Sequence, residues 1–171
     1  MAWFVLLIAL VAVERLAELV LAKRNATWSR DRGAIERGAG HYPAMVALHT
    51  GLLAGAVAEV ALGHRPFWPA LGFTMVALVL AAQALRWWCI ATLGRQWNTR
   101  VLVVPGLALV TRGPYRFIGH PNYVAVVVEG AALPLVHTAW ITALTFTLLN
   151  AALLTVRIHT ENTALREVLT A

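Results

Sequence analysis

Charged residues are scarce in this chain, making up only 13% of its 171 residues. Soluble proteins contain about 25% of them, and polar groups are what cover a soluble domain in water. Hydrophobic residues reach 60%, and the mean hydropathy is +0.70. The composition excludes an ordinary water-soluble enzyme and a disordered chain. It indicates a small polytopic membrane protein, because about 20 apolar residues make one spanning helix.

Cysteine and the common catalytic motifs are also lacking. The single cysteine, Cys89, excludes an internal disulfide and a multi-cysteine metal site. The six histidines are scattered, and none pairs with another at the spacing of zinc hydrolases, so no metal is predicted. Phosphate-binding loops, dinucleotide-binding glycine motifs and serine-hydrolase elbows do not occur. The net charge of +6 comes from residues between apolar runs, which indicates a membrane topology signal and not nucleic-acid binding.

The apolar runs predict an all-α fold with about five transmembrane helices in a single domain, residues 1–171. The helices are expected over residues 2–22, 43–62, 69–93, 121–137 and 140–157. Almost no loop separates the last two, so they are expected to form a tight helical hairpin. The first run lacks a positive leading region and a clear cleavage site, which favours a retained membrane anchor over a cleaved signal peptide.

The positive residues predict the orientation of the helices. Residues 23–42 carry one lysine and four arginines, and residues 94–120 carry four arginines. Residues 63–68, between the second and third runs, carry Arg65 alone. Cytoplasmic loops are enriched in Lys and Arg. We therefore expect a multi-pass cell-membrane protein with its N-terminus outside and its C-terminus in the cytoplasm.

Several polar residues lie at apolar depth, where burial is costly. Glu14 and Glu18 are four residues apart and share a helix face, and Gln83 and Arg86 in the third run are their expected partners. Glu129, in the fourth run, must be paired, protonated or facing a polar cavity.

Two further polar residues lie in neighbouring runs. Asn150, near the middle of the fifth run, is expected to make a hydrogen bond across the hairpin. Glu59, near the outer end of the second run, is expected to reach water.

A polar segment, residues 94–120, follows the third run. Within it, Val101–Val104 and Leu107–Val110 resemble short extended segments around a Pro105-Gly106 turn. Pro121 is suited to the first position of a helix, and a helix N-terminus attracts anionic groups.

At the other end of the hairpin, Arg157 and Glu161 are four residues apart and share a face. Because the two runs form a hairpin, His120, Tyr123, Arg157 and Glu161 are expected to converge at the cytoplasmic membrane face. This patch offers a carboxylate for an amine, an arginine for an anion, a helix N-terminus and aromatic rings. Such a set suits a zwitterionic cofactor beside a lipid substrate.

These residues resemble a known family. The segment TRGPYRFIGHPNY, residues 111–123, followed by a hydrophobic hairpin, Arg157 and Glu161, is similar to the isoprenylcysteine carboxyl methyltransferase family. Its members are integral-membrane enzymes that use S-adenosylmethionine. The segments ERLAEL, HYPAMVALH, PFWP and RWWCIATLGRQWNTR resemble the bacterial branch linked to methylation of alkylpyrones and alkylresorcinols.

The resemblance implies a set of site residues. S-adenosylmethionine would be held in a cytoplasmic pocket by Leu107, Ala108, Leu109, Val110, Tyr115, His120, Pro121, Asn122, Tyr123 and Glu161, with Glu161 on its amino group. Arg157 would bind the substrate and face its reacting oxygen. The hairpin and the third run would form a tunnel through which a lipophilic or prenylated substrate enters from the bilayer.

The chain departs from the family pattern in three places. Gly119 stands where the family has an arginine before His-Pro, and Glu161-Asn162 replaces the usual Glu-Glu pair. The chain ends at Ala171, so part of the cofactor lid is expected to be missing or supplied differently. Loss of the arginine removes a charge that could bind a substrate carboxylate, which favours a phenol or enol as the methyl acceptor.

The prediction is therefore an S-adenosylmethionine-dependent O-methyltransferase. Its acceptor is an isoprenylcysteine-type carboxylate or, favoured here, a phenolic or enolic polyketide lipid. Arg157 would stabilise the acceptor anion, and His120 or Glu129 would accept a proton. Two alternatives stay open: an NADPH-dependent sterol-type membrane reductase, which also carries His-Pro-Asn-Tyr, and a small transporter or scaffold. The sequence leaves the oligomeric state open.

Overall fold

Five α-helices make up most of the molecule, as predicted. The computed structural model describes the backbone of residues 1–170 and the side chains of residues 1–167. The helices are α1 (Ala2–Arg30), α2 (Tyr42–Leu62), α3 (Pro69–Leu93), α4 (Pro121–Leu135) and α5 (Trp140–Thr170). Two short strands, β1 (Ile35–Arg37) and β2 (Val101–Val103), add a small sheet to the expected all-α fold, and the described residues also contain three short 3₁₀ helices.

Helix ends in the apolar region agree with the prediction, whereas the C-terminal ends of α1 and α5 do not. α2 and α3 begin within one residue of their expected starts, since Pro43 and Pro69 lie in their first turns. α1 was expected to end at residue 22 but continues to Arg30, and α5 was expected to end at residue 157 but continues to Thr170. Hydropathy marks only the part of a helix that lies in lipid, so a helix that continues into water is underestimated.

The hairpin turn between α4 and α5 is tight. α4 ends at Leu135, two residues before the predicted end, and Thr138 in the turn has a left-handed φ of 55°. The Thr138 hydroxyl donates to the Pro66 carbonyl at 2.6 Å, which ties the hairpin to the loop before α3. A Cβ at Gly130 would lie 1.9 Å from the Phe146 ring, so only glycine allows α4 and α5 to approach this closely.

The main hydrophobic core lies in the half of the bundle that holds the hairpin turn. It is formed by buried side chains of α1, α2, α3, α4 and the hairpin turn: Phe4, Ile8, Val11, Ala56, Val60, Val79, Ala132, Leu133, Val136 and Ala139. At this end, the mostly buried Glu59 accepts hydrogen bonds from the backbone N–H groups of Ile141 and Thr142 at 3.1 and 2.7 Å. Glu59 therefore caps α5, where the sequence predicted contact with water.

Within the part of the chain that the structure describes, three helical segments are long and apolar enough to cross a membrane: Ala39–Leu62, Pro69–Gln96 and Trp140–Glu167. α1 has sufficient length but carries Glu14, Arg15 and Glu18 in its apolar part. α4, with 15 residues, is about 22 Å long, which is shorter than the hydrocarbon core of about 30 Å. The helices indicate a membrane protein, while five spans and their orientation stay predictions.

The sheet joins two connections that are far apart in sequence. β1 pairs antiparallel with β2, with Glu36 opposite Leu102. The extended conformation predicted for Val101–Val104 is confirmed in β2. Residues 107–110 form no strand, and the partner of β2 is β1, which the sequence did not predict. The Pro105-Gly106 turn is present, with Gly106 at a left-handed φ of 77°.

Candidate functional site

The hairpin brings the first turn of α4 beside the middle of α5. Pro121 occupies the first helical position of α4, which begins after His120. The Arg157 Nε atom donates to the Tyr123 hydroxyl at 3.0 Å, and that hydroxyl donates to the Glu161 carboxylate. The predicted convergence of His120, Tyr123, Arg157 and Glu161 is present in the structure. We call these four residues the head patch.

Glu161 is held from two sides and stays partly accessible. Its side chain is 31% exposed, and its Oε1 atom lies 3.8 Å from His120 Nδ1. The His120 ring stacks on Tyr123 with centroids 5.3 Å apart, and His120 Nε2 lies 3.1 Å from Asn162 Oδ1. The carboxylate therefore has free acceptor capacity for an ammonium group at a fixed position.

Arg157 is 7% exposed and lies deeper than Glu161. Besides Tyr123, its guanidinium donates to the Thr99 carbonyl and to Met45 Sδ, the latter at 3.1 Å. Among the described side chains, no carboxylate lies within 4 Å of it in an ion pair, although the structure contains such pairs for six other arginines. A buried cation is normally paired because its desolvation is costly. Arg157 therefore presents an uncompensated positive charge.

The small sheet covers the head patch at the end of the bundle away from the hairpin turn. Arg100, at the start of β2, donates to Glu36 at 2.6 Å and stacks on the Tyr42 ring at 4.1 Å. Arg30, at the end of α1, donates to Glu36 at 2.9 Å. These two hydrogen bonds hold the pKa of the Glu36 carboxyl below its ordinary value. Glu36 thus links α1, β1 and β2 into one cover, from which Thr99 reaches Arg157.

A cavity of about 540 Å³ extends inward from the head patch. This volume lies within the range of about 300–1,000 Å³ typical of small-molecule sites. Apolar side chains of α1 and α2 form much of its wall, including Leu16, Leu19 and Val46, which are 63%, 38% and 40% exposed. Residues that are both exposed and on the cavity wall mark a lateral opening between α1 and α2. The resemblance had implied a tunnel formed by the hairpin and the third run.

The predicted cofactor residues fall into two groups, those that line the cavity and those that do not. Tyr115, His120, Asn122, Tyr123 and Glu161 line the cavity. Burial, with the neighbouring Cys89 thiol, raises the pKa of the Tyr115 hydroxyl. Tyr115 is therefore protonated and contributes a neutral phenol.

The remaining predicted residues do not line this cavity. Leu107–Leu109 are exposed in a loop, Val110 is partly buried there, and Pro121 is buried at the start of α4. Their contact with a cofactor stays a prediction.

Glu129 lies in a buried ion-pair network away from the head patch. Its carboxylate accepts from Arg15 at 2.7 and 2.9 Å and from Arg86. Arg15 also binds Glu18 at 2.6 Å and Gln83 at 2.9 Å. The predicted contact of the α1 acidic residues with the third run is present, and Glu129 is paired. Its role as a proton acceptor stays a prediction, and these contacts favour a structural role.

Sequence reasoning missed the residues that α2 and the cover of the head patch contribute. Met45 and Thr99 hold Arg157, and Trp97 and Arg100 line the cavity. A backbone carbonyl and a thioether have no sequence signature, so Thr99 and Met45 could not have been found. The glycines Gly33 and Gly38, both with left-handed φ, bracket β1 and were a signal for a short turn-bounded strand.

The helices, the head patch and the cavity together define a class: a membrane protein with an internal polar site at the ends of its helices. The family model for the isoprenylcysteine carboxyl methyltransferase (ICMT) family matches residues 75–167. The chain is also 41% identical over 167 residues to the uncharacterized protein YpbQ of Bacillus subtilis (strain 168). The aligned region covers 96% of this chain and 97% of that protein. The chain belongs to the ICMT family, whose members are S-adenosylmethionine-dependent methyltransferases.

Both family departures inside the site have structural consequences. Asn162, in place of a carboxylate, lies within hydrogen-bond distance of His120 Nε2, so one negative charge is missing beside Glu161. Gly119 is exposed, and a Cβ there would meet no atom within 4 Å. The space for the family's arginine is therefore present although the arginine is absent.

Proposed function

We propose that this chain is an S-adenosylmethionine-dependent O-methyltransferase of the cell membrane that acts on a lipophilic phenol or enol. The observation that carries the proposal is the buried, uncompensated guanidinium of Arg157 at the head of a cavity with apolar walls. A group that binds there must be anionic or become anionic, and the rest of it must be apolar. A phenolate or enolate with an alkyl tail meets both conditions.

The residues of the head patch fit the amino-acid part of the cofactor. Glu161 offers an accessible carboxylate for the ammonium group. Asn122 lines the cavity, and its buried Oδ1 atom has no hydrogen-bond partner. The first turn of α4 has no side-chain cap, so its N-terminus remains available to a carboxylate.

When bound, S-adenosylmethionine supplies a methyl group on a positively charged sulfur. Arg157 would hold the acceptor oxygen as an anion, which matters because a free phenol has a pKa near 10. Tyr123 fixes the guanidinium and connects it to Glu161. The two partners are thereby aligned, and the cover of β1 and β2 excludes water.

His120 is the group in the head patch best placed to receive the proton that a phenol releases. Its Nε2 faces Asn162, a neutral partner, and its Nδ1 faces Glu161. The imidazole is 22% exposed, so the proton can pass to water. A carboxylate acceptor would release no proton and would not need His120.

The lateral opening between α1 and α2 supports entry of the acceptor from the bilayer. Leu16 and Val46 border both the cavity and the outside of the bundle. In a membrane, this outside surface faces lipid, so an alkyl tail can remain in lipid while its head reaches Arg157.

The proposal is tested by product analysis with purified protein in lipid nanodiscs. S-adenosylmethionine with a labelled methyl group is supplied with a 5-alkylresorcinol, a 4-hydroxy-6-alkylpyrone or N-acetyl-S-farnesylcysteine, and products are identified by mass spectrometry. We expect O-methylation of one of the first two acceptors and little of the third. Transfer to the cysteine carboxylate alone would contradict the acceptor class, and the absence of transfer to all three would contradict the proposal.

A further inference from the structure

The cavity contains polar groups that the head patch does not use. Among the side chains of residues 1–167, seven buried polar atoms have no hydrogen-bond partner. Five of these atoms belong to residues that line the cavity: Glu18, Arg86, Trp97, Asn122 and Asn150. Such atoms are rare in proteins, because each buried unpaired group costs about 1–3 kcal/mol. Their concentration around one cavity indicates that a ligand completes them.

Three of the five lie well below the head patch. On α5, Asn150 precedes Arg157 by seven residues, which places its backbone about 10 Å further into the membrane. On α2, His49 lies one turn beyond Met45, the residue that contacts Arg157. Glu18, Arg86, His49 and Asn150 all line the cavity. We call these four residues the deep subsite.

Asn150 is the residue in the deep subsite with the least explanation in the fold. It is 2% exposed, and its Oδ1 atom is unpaired. The sequence predicted a hydrogen bond across the hairpin, and the structure shows none for this oxygen among the described side chains. The last bond of an asparagine side chain has broad rotational preferences, so a small rotation turns the amide toward a ligand.

The other members of the deep subsite indicate the chemistry of that ligand. His49 Nδ1 lies 2.9 Å from the Met45 carbonyl and must donate to it, which leaves Nε2 as an acceptor. Arg86 Nε and Glu18 Oε1 form an ion pair at 3.6 Å, and neither atom makes a hydrogen bond. A hydroxyl both donates and accepts, so it satisfies either kind of atom.

The charge of the surroundings argues against an anion. Three carboxylates, Glu14, Glu18 and Glu129, are connected to two guanidiniums, Arg15 and Arg86. The network has an excess of one formal negative charge, which would repel a carboxylate or a phosphate on the ligand at this depth. A neutral hydroxyl fits.

We propose that the deep subsite binds a hydroxyl group carried by the acceptor about 10 Å from its methylated oxygen. This inference rests on the proposed function for the placement of the head group. It makes the acceptor a lipid with two polar positions, one at Arg157 and one at Asn150, with apolar chain between and beyond them. A plain prenyl or alkyl tail leaves the deep subsite unsatisfied.

The test uses three 5-pentadecylresorcinols with free phenol groups in the presence of S-adenosylhomocysteine, which has no methyl group to transfer. One has a plain tail, one has a tail hydroxyl about 10 Å from the aromatic oxygen, and one has a hydroxyl at the end of the tail. Their binding to the full chain in nanodiscs is measured by calorimetry. We expect the hydroxyl at about 10 Å to tighten binding about tenfold relative to the plain tail, and the terminal hydroxyl to give no gain. Equal binding of all three compounds by the native protein overturns the proposal.

Two variants locate the effect. Asn150→Leu has a similar volume and is expected to lose the tenfold preference, with Asn150→Ser replacing it if the leucine variant does not fold. Thr147→Val, whose hydroxyl bonds only its own helix at 2.7 Å in the structure, is the matched control and is expected to keep it. A preference that survives both Asn150 variants overturns the assignment to the deep subsite.

Binding and transfer separate the two proposals. Position-selective binding without any methyl transfer leaves the subsite standing and contradicts the proposed function. Methyl transfer to plain-tailed acceptors without position-selective binding supports the proposed function and contradicts the deep subsite.

Discussion

The guanidinium of Arg157 is buried, and its donors point at a hydroxyl, a thioether and a backbone carbonyl. Neutral partners fix its direction without cancelling its charge. Glu161, four residues later, is partnered by Tyr123 instead. The charge of Arg157 therefore remains available to an acceptor oxygen, while Glu161 remains available to an ammonium group.

Substitution of Arg157 tests this division of roles. In Arg157→Gln, a shorter polar group remains, and the charge is lost. We expect methyl transfer to fall about 100-fold or more, while the affinity for S-adenosylmethionine changes less than about threefold. Arg95→Gln removes an exposed charge from the cytoplasmic segment and is the control. Equal loss of transfer and of cofactor binding in Arg157→Gln would mean that Arg157 belongs to the cofactor site.

Gly119 offers a test of acceptor choice. Because a side chain there meets no atom within 4 Å, Gly119→Arg restores the family's charge without a clash. We expect the ratio of kcat/KM for N-acetyl-S-farnesylcysteine to that for an alkylresorcinol to rise about tenfold. Gly119→Gln, of similar length without charge, should leave the ratio unchanged. An equal rise in both variants would show that length and not charge is responsible.

At the scale of single residues, the sequence predicted the four residues of the head patch. It missed the uncharged groups that hold Arg157 in place. The contacts of His120, Tyr123, Arg157 and Glu161 follow from two facts readable in sequence: helical spacing and the short connection of the hairpin. Thr99 acts through its backbone and Met45 through sulfur, and neither property distinguishes those residues from their neighbours. Asn150 was recognised as unusual, but the hydrogen bond expected across the hairpin is absent for its side-chain oxygen, which lies at a cavity that the sequence did not predict.

Among the secondary-structure elements, the β1–β2 sheet is the part of the fold least visible in sequence. A three-residue strand leaves no periodic pattern. Its position depends on pairing between segments that the chain separates by two helices. Once formed, the sheet connects the end of α1 to the cover of the head patch through Glu36, Arg30 and Arg100.

The Glu36 connection gives a pH dependence with a definite sign. The pKa of Glu36 is lower in the folded protein than its ordinary value of 4.5, because Arg100 and Arg30 donate hydrogen bonds to the carboxylate. Its stabilisation is therefore complete above that value and is lost as the pH falls through the lower folded pKa. We expect Glu36→Gln to lower Tm in detergent at neutral pH and to have a diminishing effect as the pH falls below about 4. Asp31→Asn, on the same connection, should show no such trend. A Glu36→Gln effect on Tm that grows in acid would contradict the stabilising role of the Glu36 contacts with Arg30 and Arg100.

The whole molecule combines two depths of polar residues with one apolar cavity. The lengths of the apolar runs predicted the helices in the lipid region, because hydropathy measures how well a segment is buried in lipid. The apolar runs did not predict that α1 and α5 continue past their apolar parts. Those extra turns are stabilised by polar contacts, such as the hydrogen bond from the Asn25 side chain to the Trp97 carbonyl at 2.7 Å. The lateral opening between α1 and α2 likewise depends on how the helices splay apart.

The orientation of the bundle is tested by labelling single cysteines in intact cells with a membrane-impermeant maleimide. The native Cys89 is fully buried and should not react. We expect Leu62→Cys, at an 81% exposed position beside the α2–α3 loop, to react in intact cells. Asp31→Cys, in the connection rich in positive residues, should react only after the cells are opened. The reverse pattern would place the head patch outside and contradict the proposed topology.

Binding of S-adenosylmethionine is the most direct measurement of the central claim, that the helix ends around Glu161 form a methyl-donor site. Calorimetry on the purified full chain in nanodiscs should show saturable binding of S-adenosylmethionine and of S-adenosylhomocysteine. Glu161→Ala should weaken both about tenfold or more, whereas Asp31→Ala should leave both unchanged. Absence of binding for both ligands, or undiminished binding in Glu161→Ala, would contradict the claim.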